Sequence, residues 1–571
     1  MMQIARPRAG LLLSTTVLRL LAGATIAGVV IFQWALFATR MGDSMHDHCA
    51  DCTSCVTVNL HDTHSMSPVM YGAFFEEINH AGEGGLHVEM LRDWSFEARA
   101  HLTQHPELAR DSANKMEALP VDATVPLPYK RKTTLQSLSM DPETVASAKL
   151  RDMEAWRVVP DNIQATLEEV DAALAVTPGA LGAGGPANDV GAAALAAAYA
   201  AAAGNTATPP RALHALCLHP RDGELAQVVN SGHTLEGFTL HPATDYTLRM
   251  RVKGGPDTLQ AAITSPAGDK VYTRLSLERP VGGDAQAWHT LAGTISTKEG
   301  GAHLRLVIRA KGPEQLCLDW VSLTPAAAWG TDGRLDPFHP GLVAKLRELA
   351  PQHLRFPGGA YVEGTTLATA YRWKWGVGPR ELRPGHPDAN WGYWSSGGLG
   401  LHEWLDLAEA LGSEPIWVLN VGISQSESVA PQDLAPWVQD GLDSLEYVLG
   451  PPDSKWGAVR AAAGRPEPWT LRWLTLGNEE CMRPWYVAHY RVFAAAVRAR
   501  YPAMKLIANC DLTGAPGSEG NNTAFSMWEF HSYRSPTDTW TLRDAVDAYQ
   551  GPPVGVTEFA AMSGAEVALN A

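Results

Sequence analysis

Segments of alternating apolar and polar residues recur between 212 and about 325 of the 571-residue chain. Gly, Pro or charged residues separate them. Period-two alternation with turn residues between the segments predicts an antiparallel β-sandwich of about 100 residues. The predicted strands are YTLRMRV (246–252), TLQAAIT (258–264), WHTLAGTIS (288–296), AHLRLVI (302–308) and LCLDWVSL (316–323).

From 327 onward, short apolar runs alternate with segments of helical spacing, such as LHEWLDLAEALG and WYVAHYRVFAAAVRARY. Repeated βα units predict an α/β fold, a parallel (β/α)8-type TIM barrel. Seven strands can be recognised, so the barrel is expected to be truncated before its eighth strand. They are VMYGAFFEEI (69–78), LRFPGG (354–359), EPIWVLNVG (414–422), LRWLTLGNE (471–479), KLIANC (505–510), SMWEFHSY (526–533) and PVGVTEFA (553–560).

Residues 98–211 separate the first predicted strand from the rest and contain DVGAAALAAAYAAAAGNTATPP. The Ala run could form a helix, but the Gly and Pro around it predict a low-complexity insertion or linker. The expected organisation is therefore a leader (1–45), a Cys/His-rich stalk with an N-terminal strand (46–66), the first barrel strand (67–97), the insertion (98–211), the sandwich (212–326) and the catalytic barrel (327–571).

Residues 20–39 are uncharged and largely apolar, with Arg residues on both sides. That length fits a membrane-spanning helix or a long signal peptide. Either reading predicts the secretory pathway, with an extracellular, cell-wall or single-pass membrane-anchored protein. Cys49, Cys52 and Cys55 are expected to form local disulfides or part of a stalk rather than a zinc site. Asn521 begins a glycosylation sequon.

The net charge of −16 argues against a nucleic-acid partner, which would require a basic face. Neutral polar substrates fit this composition better. The 19 Trp residues include enough flat apolar rings to bind sugars, although Trp is more often core material.

Polar residues stand at the ends of the predicted barrel strands, where core packing does not require them. In a parallel barrel these ends meet at one face, so the residues are expected to form a pocket. They are Glu76, Arg355, Asn420, Asn478, Glu479, His531, Tyr533 and Glu558.

Glu479 and Glu558 lie on the fourth and seventh predicted strands. Glycoside hydrolysis needs two carboxyl groups beside the scissile bond, one as acid and one as nucleophile or base. His531 and Tyr533 are expected to hydrogen-bond these carboxylates and help to set their protonation states. A Gly-rich phosphate loop after the first strand and an HExxH motif are both absent, so phosphoryl transfer and zinc peptidase chemistry have little support. A glycosidase of this kind is expected to need no cofactor and no metal.

Long motifs resemble the plant-type α-L-arabinofuranosidases of glycoside hydrolase family 51. The similarity covers about 66–97 and 212–560, and its motifs include LRFPGGAYVEGTT, NWGYWSSGGLGLHEW, LRWLTLGNEEC and VGVTEFA. It implies a retaining enzyme that acts on arabinose-containing polysaccharides or glycans, and an inserted sandwich like a carbohydrate-binding module. It also implies roles for single residues: Glu479 as acid/base, Glu558 as nucleophile, Asn478 and Glu76 on the sugar, Arg355 as an orienting residue and Tyr533 beside the nucleophile.

Two departures from the family pattern leave alternatives open. Ala360 stands where Cys or Asn usually lines the sugar site, and the family continues beyond the nucleophile strand. The alternatives are an endo-acting glucanase of the same mechanism, and an inactive carbohydrate-binding protein or fragment. Glu480, next to Glu479, is expected to cap the following helix or to face solvent.

Overall fold

The computed structural model describes residues 70–98, 156–159, 164–170, 195, 198–202, 213–233, 235–329, 335–509, 525–534 and 548–561. The predicted leader, the Cys49–Cys55 cluster and the sequon at Asn521 lie outside these ranges. Within them, no helix has both the length and the apolar character needed to cross a bilayer.

The first strand, β1 (Ala73–Phe74), is followed by a π-helical turn (Gly82–Leu86), and the chain then enters a β-sandwich. All five strands predicted between 246 and 323 are present. The sandwich strands are β2 (Trp156–Val159), β3 (Gln164–Val170), β4 (Leu213–His219), β5 (Leu225–Asn230), β6 (Phe238–Leu240), β7 (Thr244–Gly254), β8 (Thr258–Thr264), β9 (Val271–Glu278), β10 (His289–Thr297), β11 (Gly301–Lys311) and β12 (Leu316–Pro325).

These strands form two antiparallel sheets, ordered β10-β7-β12-β4-β3 and β2-β5-β11-β8-β9, with β6 paired to β11. Alternate residues of β5 and β7 point inward, so the sequence alternation builds one shared apolar core. A disulfide joins Cys217 on β4 to Cys317 on β12, its register partner.

Strands β2 and β3 come from within 98–211, where the sequence predicts only a linker. That prediction is wrong for these residues. Trp156 is buried in the sandwich core, and its indole N–H donates to the Asp93 carbonyl at 2.8 Å. Residues 198–202 are helical, and the Tyr199 hydroxyl donates to the Lys374 carbonyl at 2.8 Å. This part of the insertion is therefore built into the fold.

After the sandwich, strands and helices alternate as predicted. Four short 3₁₀ turns lie at Ala326–Ala328, Trp373–Gly376, Arg380–Leu382 and Pro431–Asp433. The strands are β13 (His353–Phe356), β14 (His386–Asp388), β15 (Tyr393–Ser395), β16 (Glu414–Leu419), β17 (Trp473–Leu476), β18 (Lys505–Ala508), β19 (Met527–Arg534) and β20 (Val554–Ala561), and the helices are α1 (Pro340–Leu349), α2 (Gly359–Glu363), α3 (Leu401–Leu411), α4 (Ala435–Leu449), α5 (Lys455–Ala462) and α6 (Tyr486–Arg500).

Seven strands of the described residues form one parallel sheet in the order β1-β13-β16-β17-β18-β19-β20. All seven were predicted, and each pairs with its neighbour in sequence order within the barrel. Arg355 on the second strand hydrogen-bonds Glu558 on the seventh at 2.8 Å, so the sheet is rolled up. The TIM-like parallel fold is thereby confirmed, and the carboxyl ends of the strands converge on one face.

Helix α3 shows how the helices cover this sheet. Leu401, Trp404, Leu405 and Ala408 are buried, which is the apolar face that their spacing predicts. The ring of Trp404 lies near those of Phe338 and Phe356 within the barrel core. The helix therefore anchors β13, the strand that carries Arg355.

Candidate active site

Arg355 lies at the centre of the face formed by the strand ends and is almost completely buried. Its guanidinium donates to Glu558 Oε1 at 2.8 Å, to Asn478 Oδ1 at 2.9 Å and to Glu529 Oε1 at 3.4 Å. A planar guanidinium offers donors in fixed directions, so one side chain can orient several acceptors. Three strands of the sheet are thus connected through one cation.

Glu558, on β20, is held at both carboxylate oxygens. Oε1 accepts from Arg355, and Oε2 accepts from the Tyr533 hydroxyl at 2.6 Å. Its side chain is buried, with only 5% of its surface exposed, whereas Tyr533 is 47% exposed. These bonds keep the Glu558 carboxylate in one orientation.

Glu479 follows β17 and is more open to solvent, with about half of its side chain exposed. His531 Nδ1 lies 2.7 Å from Glu479 Oε1, and this hydrogen bond lowers the pKa of Glu479. Burial lowers the pKa of His531, but the hydrogen bond to Glu479 and the charge of Glu558 outweigh it, so the net shift is upward. Each of the two groups thus favours the charged form of the other.

The two carboxylates that the sequence predicts to be catalytic lie close together. One oxygen of Glu479, one oxygen of Glu558 and one nitrogen of His531 all lie within 4.8 Å of one another. Two carboxylates and an imidazole could also hold a metal ion. The same set provides the two carboxyl groups of a glycosidase, with a titratable group between them.

Asn478, just before Glu479, is buried and has both ends of its amide engaged. Its Oδ1 accepts from Arg355, and its Nδ2 donates to Glu363 Oε2 at 3.2 Å. Burial raises the pKa of Glu363 to about 7, and the nearby charge of Glu479 adds to this effect. The amide is thereby fixed beside Glu479.

Glu76 closes the site on the side of the first strand. Its Oε1 accepts from the Tyr361 backbone N–H at 2.9 Å and from the Trp391 indole at 3.0 Å, and burial raises its pKa to about 7. Gly359 has φ +67°, and a Cβ there would overlap the Glu76 carboxylate. The Pro-Gly-Gly motif thus allows the backbone to approach Glu76 closely.

The expectation that Glu480 caps a helix or faces solvent is wrong. It is completely buried, its Oε2 accepts from the Asn478 backbone N–H at 3.2 Å, and burial raises its pKa well above the usual range. Gly477, with φ +88°, turns the chain so that Glu480 folds back beneath the strand end. A Cβ on Gly477 would overlap the Glu480 carboxylate.

Asn420 is the one predicted site residue whose bonds point to a different role. Its Nδ2 donates to the carbonyls of Val362 and Ile423, and its Oδ1 accepts from the Gly422 N–H at 2.7 Å. These bonds join the loop after β16 to the end of α2. The described structure gives Asn420 a part in positioning this loop.

Three residues of the site were missed from the sequence. Glu529 accepts from Arg355, from Asn509 Nδ2 at 2.8 Å and from the Thr557 hydroxyl at 2.9 Å. It precedes His531 and Tyr533 by two and four positions, so strand alternation alone could have placed it on the same face. Glu363 lies in the short helix that follows β13, and Trp391 lies in the β14–β15 hairpin. Neither residue stands at the end of a predicted barrel strand, so the sequence pattern does not mark them.

Comparisons with known proteins show which proteins this chain is similar to. Residues 345–551 match the model described as the alpha-L-arabinofuranosidase 1 domain. Alpha-L-arabinofuranosidase 1 of Arabidopsis thaliana is 33% identical over 340 residues, which cover 58% of this chain and 48% of the relative. Alpha-L-arabinofuranosidase 2 of the same plant is 37% identical over 264 residues, covering 46% and 38%. The chain thus spans half or less of the length of these two relatives.

Among solved structures, an arabinose-bound GH51 α-L-arabinofuranosidase is similar to this chain with a TM-score of 0.63 at 23% identity. The similarity covers 88% of this chain and 68% of that one. At this identity the match establishes the fold, and it agrees with the rolled parallel sheet and the accompanying antiparallel sheets.

Proposed function

We propose that this chain, which is similar to plant α-L-arabinofuranosidases, is a retaining α-L-arabinofuranosidase of glycoside hydrolase family 51. It would remove terminal non-reducing arabinofuranose from arabinose-containing polysaccharides or glycans. The observation that carries the proposal is the short separation, within 4.8 Å, between carboxylate oxygens of Glu479 and Glu558. Retaining glycosidases hold these groups about 5–5.5 Å apart, whereas inverting ones leave room for a water between them.

The first step forms a covalent sugar–enzyme ester. A Glu558 oxygen attacks C1 of the arabinose, the bond from C1 to the glycosidic oxygen breaks, and Glu479 gives its proton to that oxygen. Arg355 and Tyr533 hold the Glu558 carboxylate in place, which reduces the reorganisation needed for attack.

The second step releases the sugar. Glu479, now ionised, takes a proton from water as the water oxygen bonds to C1, and the ester bond to Glu558 breaks. The shallower burial of Glu479 suits this step, because the leaving group must depart and water must enter beside it. His531, paired with Glu479, can hold the proton between turnovers.

The test compares the wild-type protein with Glu558→Gln on an aryl α-L-arabinofuranoside, other aryl glycosides and polymeric β-glucans. We expect hydrolysis of the arabinofuranoside and a loss of at least about 10⁴-fold in Glu558→Gln, since the nucleophile is gone. Glu348→Gln, on the exposed surface of α1, is the matched control and should retain full activity. Activity on glucans alone would identify an endo-glucanase, and inactivity on every substrate would favour a carbohydrate-binding protein.

We also propose that the protein enters the secretory pathway by means of residues 20–39, as a signal peptide or a membrane anchor. The Cys217–Cys317 disulfide and the disulfide-bonded state of Cys481 support this location, since disulfides persist mainly in oxidising compartments. Expression of the full chain, followed by cell fractionation and N-terminal sequencing, distinguishes a cleaved leader from a retained anchor. Recovery of intact protein in the cytosol would contradict both.

We propose in addition that the β-sandwich contributes to glycan binding, as carbohydrate-binding modules of this architecture do. Two stacked antiparallel sheets provide a rigid support for such a surface. Gel electrophoresis of the Glu558→Gln protein in the presence of arabinan or arabinogalactan tests this proposal. Retardation that persists when the barrel site is blocked with free arabinose would support it, and full release by arabinose would contradict it.

A further inference from the structure

A cleft of about 260 Å³ lies between the loops that follow β16 and β17. One wall is the loop 424–428, and the other is the segment from Arg483 to Trp485. Because β16 and β17 are adjacent parallel strands, both walls rise from the same edge of the sheet as Glu479, and Arg483 is only four residues beyond it. The volume suits one sugar ring rather than a long polymer.

The loop 424–428 is held in place by bonds to its surroundings. The backbone N–H groups of Gln425 and Ser426 donate to the carbonyls of Gly364 and Thr365 at 3.1 and 3.2 Å. Glu427 accepts from the Leu367 N–H at 2.7 Å. This wall is therefore formed before any ligand arrives.

Trp485 is exposed on the opposite wall although its neighbours are anchored. Its backbone has φ +71°, a conformation that is costly for a residue with a side chain. The next residue, Tyr486, is buried and donates its hydroxyl to the Leu476 carbonyl at 3.0 Å, and the Trp485 carbonyl accepts from the His489 N–H at 2.8 Å. The fold thus keeps a ring that is 54% exposed fixed at the cleft.

Arg483 provides the cleft with a cation. Its side chain is exposed and makes no hydrogen bond or close ion pair with any residue that the structure describes. Its charge nevertheless acts to lower the pKa of the buried Glu363 and of the buried Glu480. An unpaired guanidinium in a concave site recognises carboxylates well, because it can bind both oxygens at once. In a chain of net charge −16, an exposed cation four residues after Glu479 is a selective feature.

We propose that this cleft binds the sugar on the leaving-group side of the scissile bond and that this sugar carries a carboxylate, as a uronosyl residue does. The inference rests on the proposed function, since Glu479 as acid must touch the glycosidic oxygen, and the group beyond that oxygen then lies on the Glu479 side. The sugar ring lies against Trp485 and its carboxylate pairs with Arg483, while Ser428 of the loop faces its hydroxyl groups.

The test uses three substrates: methyl α-L-arabinofuranoside, an arabinosylated oligosaccharide whose leaving-group sugar is a uronic acid, and the same oligosaccharide after carboxyl reduction. We expect the wild type to prefer the acidic oligosaccharide by at least about tenfold in kcat/KM. Arg483→Met should abolish that preference through KM, since the ion pair forms equally in the ground and transition states. No variant should change turnover of the methyl glycoside more than about twofold.

Trp485→Ala should raise KM for both oligosaccharides at least about tenfold, and Trp485→Phe, which keeps a ring, should recover part of that loss. Met482→Ala is the matched control, because Met482 is 92% exposed in the same segment but does not line the cleft. An unchanged acidic preference in Arg483→Met, or an equal loss on the methyl glycoside, would overturn the proposal.

Binding separates this proposal from the proposed function. Calorimetry of the acidic and the reduced oligosaccharide on Glu558→Gln measures the subsite without turnover. If the wild type hydrolyses no arabinofuranoside but the acidic oligosaccharide still binds through Arg483, the activity is wrong and the subsite stands. If arabinofuranosides are hydrolysed and the two oligosaccharides bind equally, the subsite is wrong and the activity stands.

Discussion

Arg355 holds two carboxylates of the site together, because its guanidinium forms ion pairs with both Glu558 and Glu529. Removing one partner from a buried charge network leaves the others uncompensated. The resemblance to known motifs predicted Arg355, Asn478, Glu479 and Glu558 from the sequence, and the structure brings them together. The burial of Glu480 could not be predicted, because strand alternation ends at Gly477, where the chain turns.

The Glu479–His531 pair makes a first prediction, on pH dependence. The hydrogen bond lowers the pKa of Glu479, and the net pKa shift of His531 is upward. The two groups therefore share one proton and titrate as a pair, which loses that proton only as the pH rises through the raised pKa. We expect His531→Gln to move the alkaline limb of the kcat/KM profile to lower pH, since Glu479 must then hold the proton alone. A limb that stays in place, or moves to higher pH, would contradict this assignment.

Glu480 makes a second prediction, on stability. Because burial raises its pKa far above the usual range, the side chain should be neutral in the folded protein, and Gln copies that form. We expect Glu480→Gln to change the free energy of unfolding by less than about 1 kcal/mol. Glu480→Ala should cost about 2–4 kcal/mol, since it leaves a cavity. Denaturant unfolding measures both, and equal losses in the two variants would show that Glu480 is charged.

At the scale of elements, the seven barrel strands could be predicted because each is a short apolar run that ends in polar residues. Strands β2 and β3 could not, since they lie in a segment rich in Ala, Gly and Pro and pair with strands far away in sequence. β2 pairs with β5, which lies about 70 residues later in the sequence. The strand can be recognised only from this long-range pairing. The local sequence pattern therefore predicts the strands of the barrel better than the strands that lie in the insertion.

Trp156 tests whether β2 is an integral strand. We expect Trp156→Ala to lower the free energy of unfolding by about 3–5 kcal/mol, because it removes a large buried ring and the hydrogen bond to Asp93. Arg157→Ala, on the exposed side of the same strand, should have a much smaller effect. Thermal unfolding of both variants provides the comparison. Similar melting temperatures for Trp156→Ala and the wild type would mean that 156–159 adds nothing to the sandwich.

For the whole molecule, buried carboxyl groups link stability to pH. Burial raises the pKa of six carboxyl groups to between about 6 and 8: Glu76, Glu77, Glu89, Glu97, Asp319 and Glu363. At a pH between the ordinary and the raised pKa values, the folded state binds more protons than the unfolded state. The stabilisation that these groups provide is therefore complete only below their ordinary pKa. That contribution is lost as the pH rises through the raised values.

We therefore expect the free energy of unfolding to fall between pH 6.5 and 8, by about 1.4 kcal/mol per pH unit for each extra proton bound. Burial lowers the pKa of His233 to about 4. Histidines of this kind make the free energy of unfolding rise with pH, but only below pH 6.5, where the unfolded state binds the extra proton. Denaturant unfolding at several pH values, at constant ionic strength, measures the slope. A free energy that is constant or rises across this window would contradict the protonated state of the buried carboxyl groups.

In the proposed reaction, Glu558 attacks the sugar and Glu479 is its acid/base partner. The most direct measurement uses an arabinofuranoside with fluorine at C2 and a good leaving group, which slows release of the sugar from the enzyme, followed by peptide mass spectrometry. We expect one sugar ester per chain, located on Glu558 and absent from Glu558→Gln. A label on any other residue, or hydrolysis with inversion at C1, would contradict it.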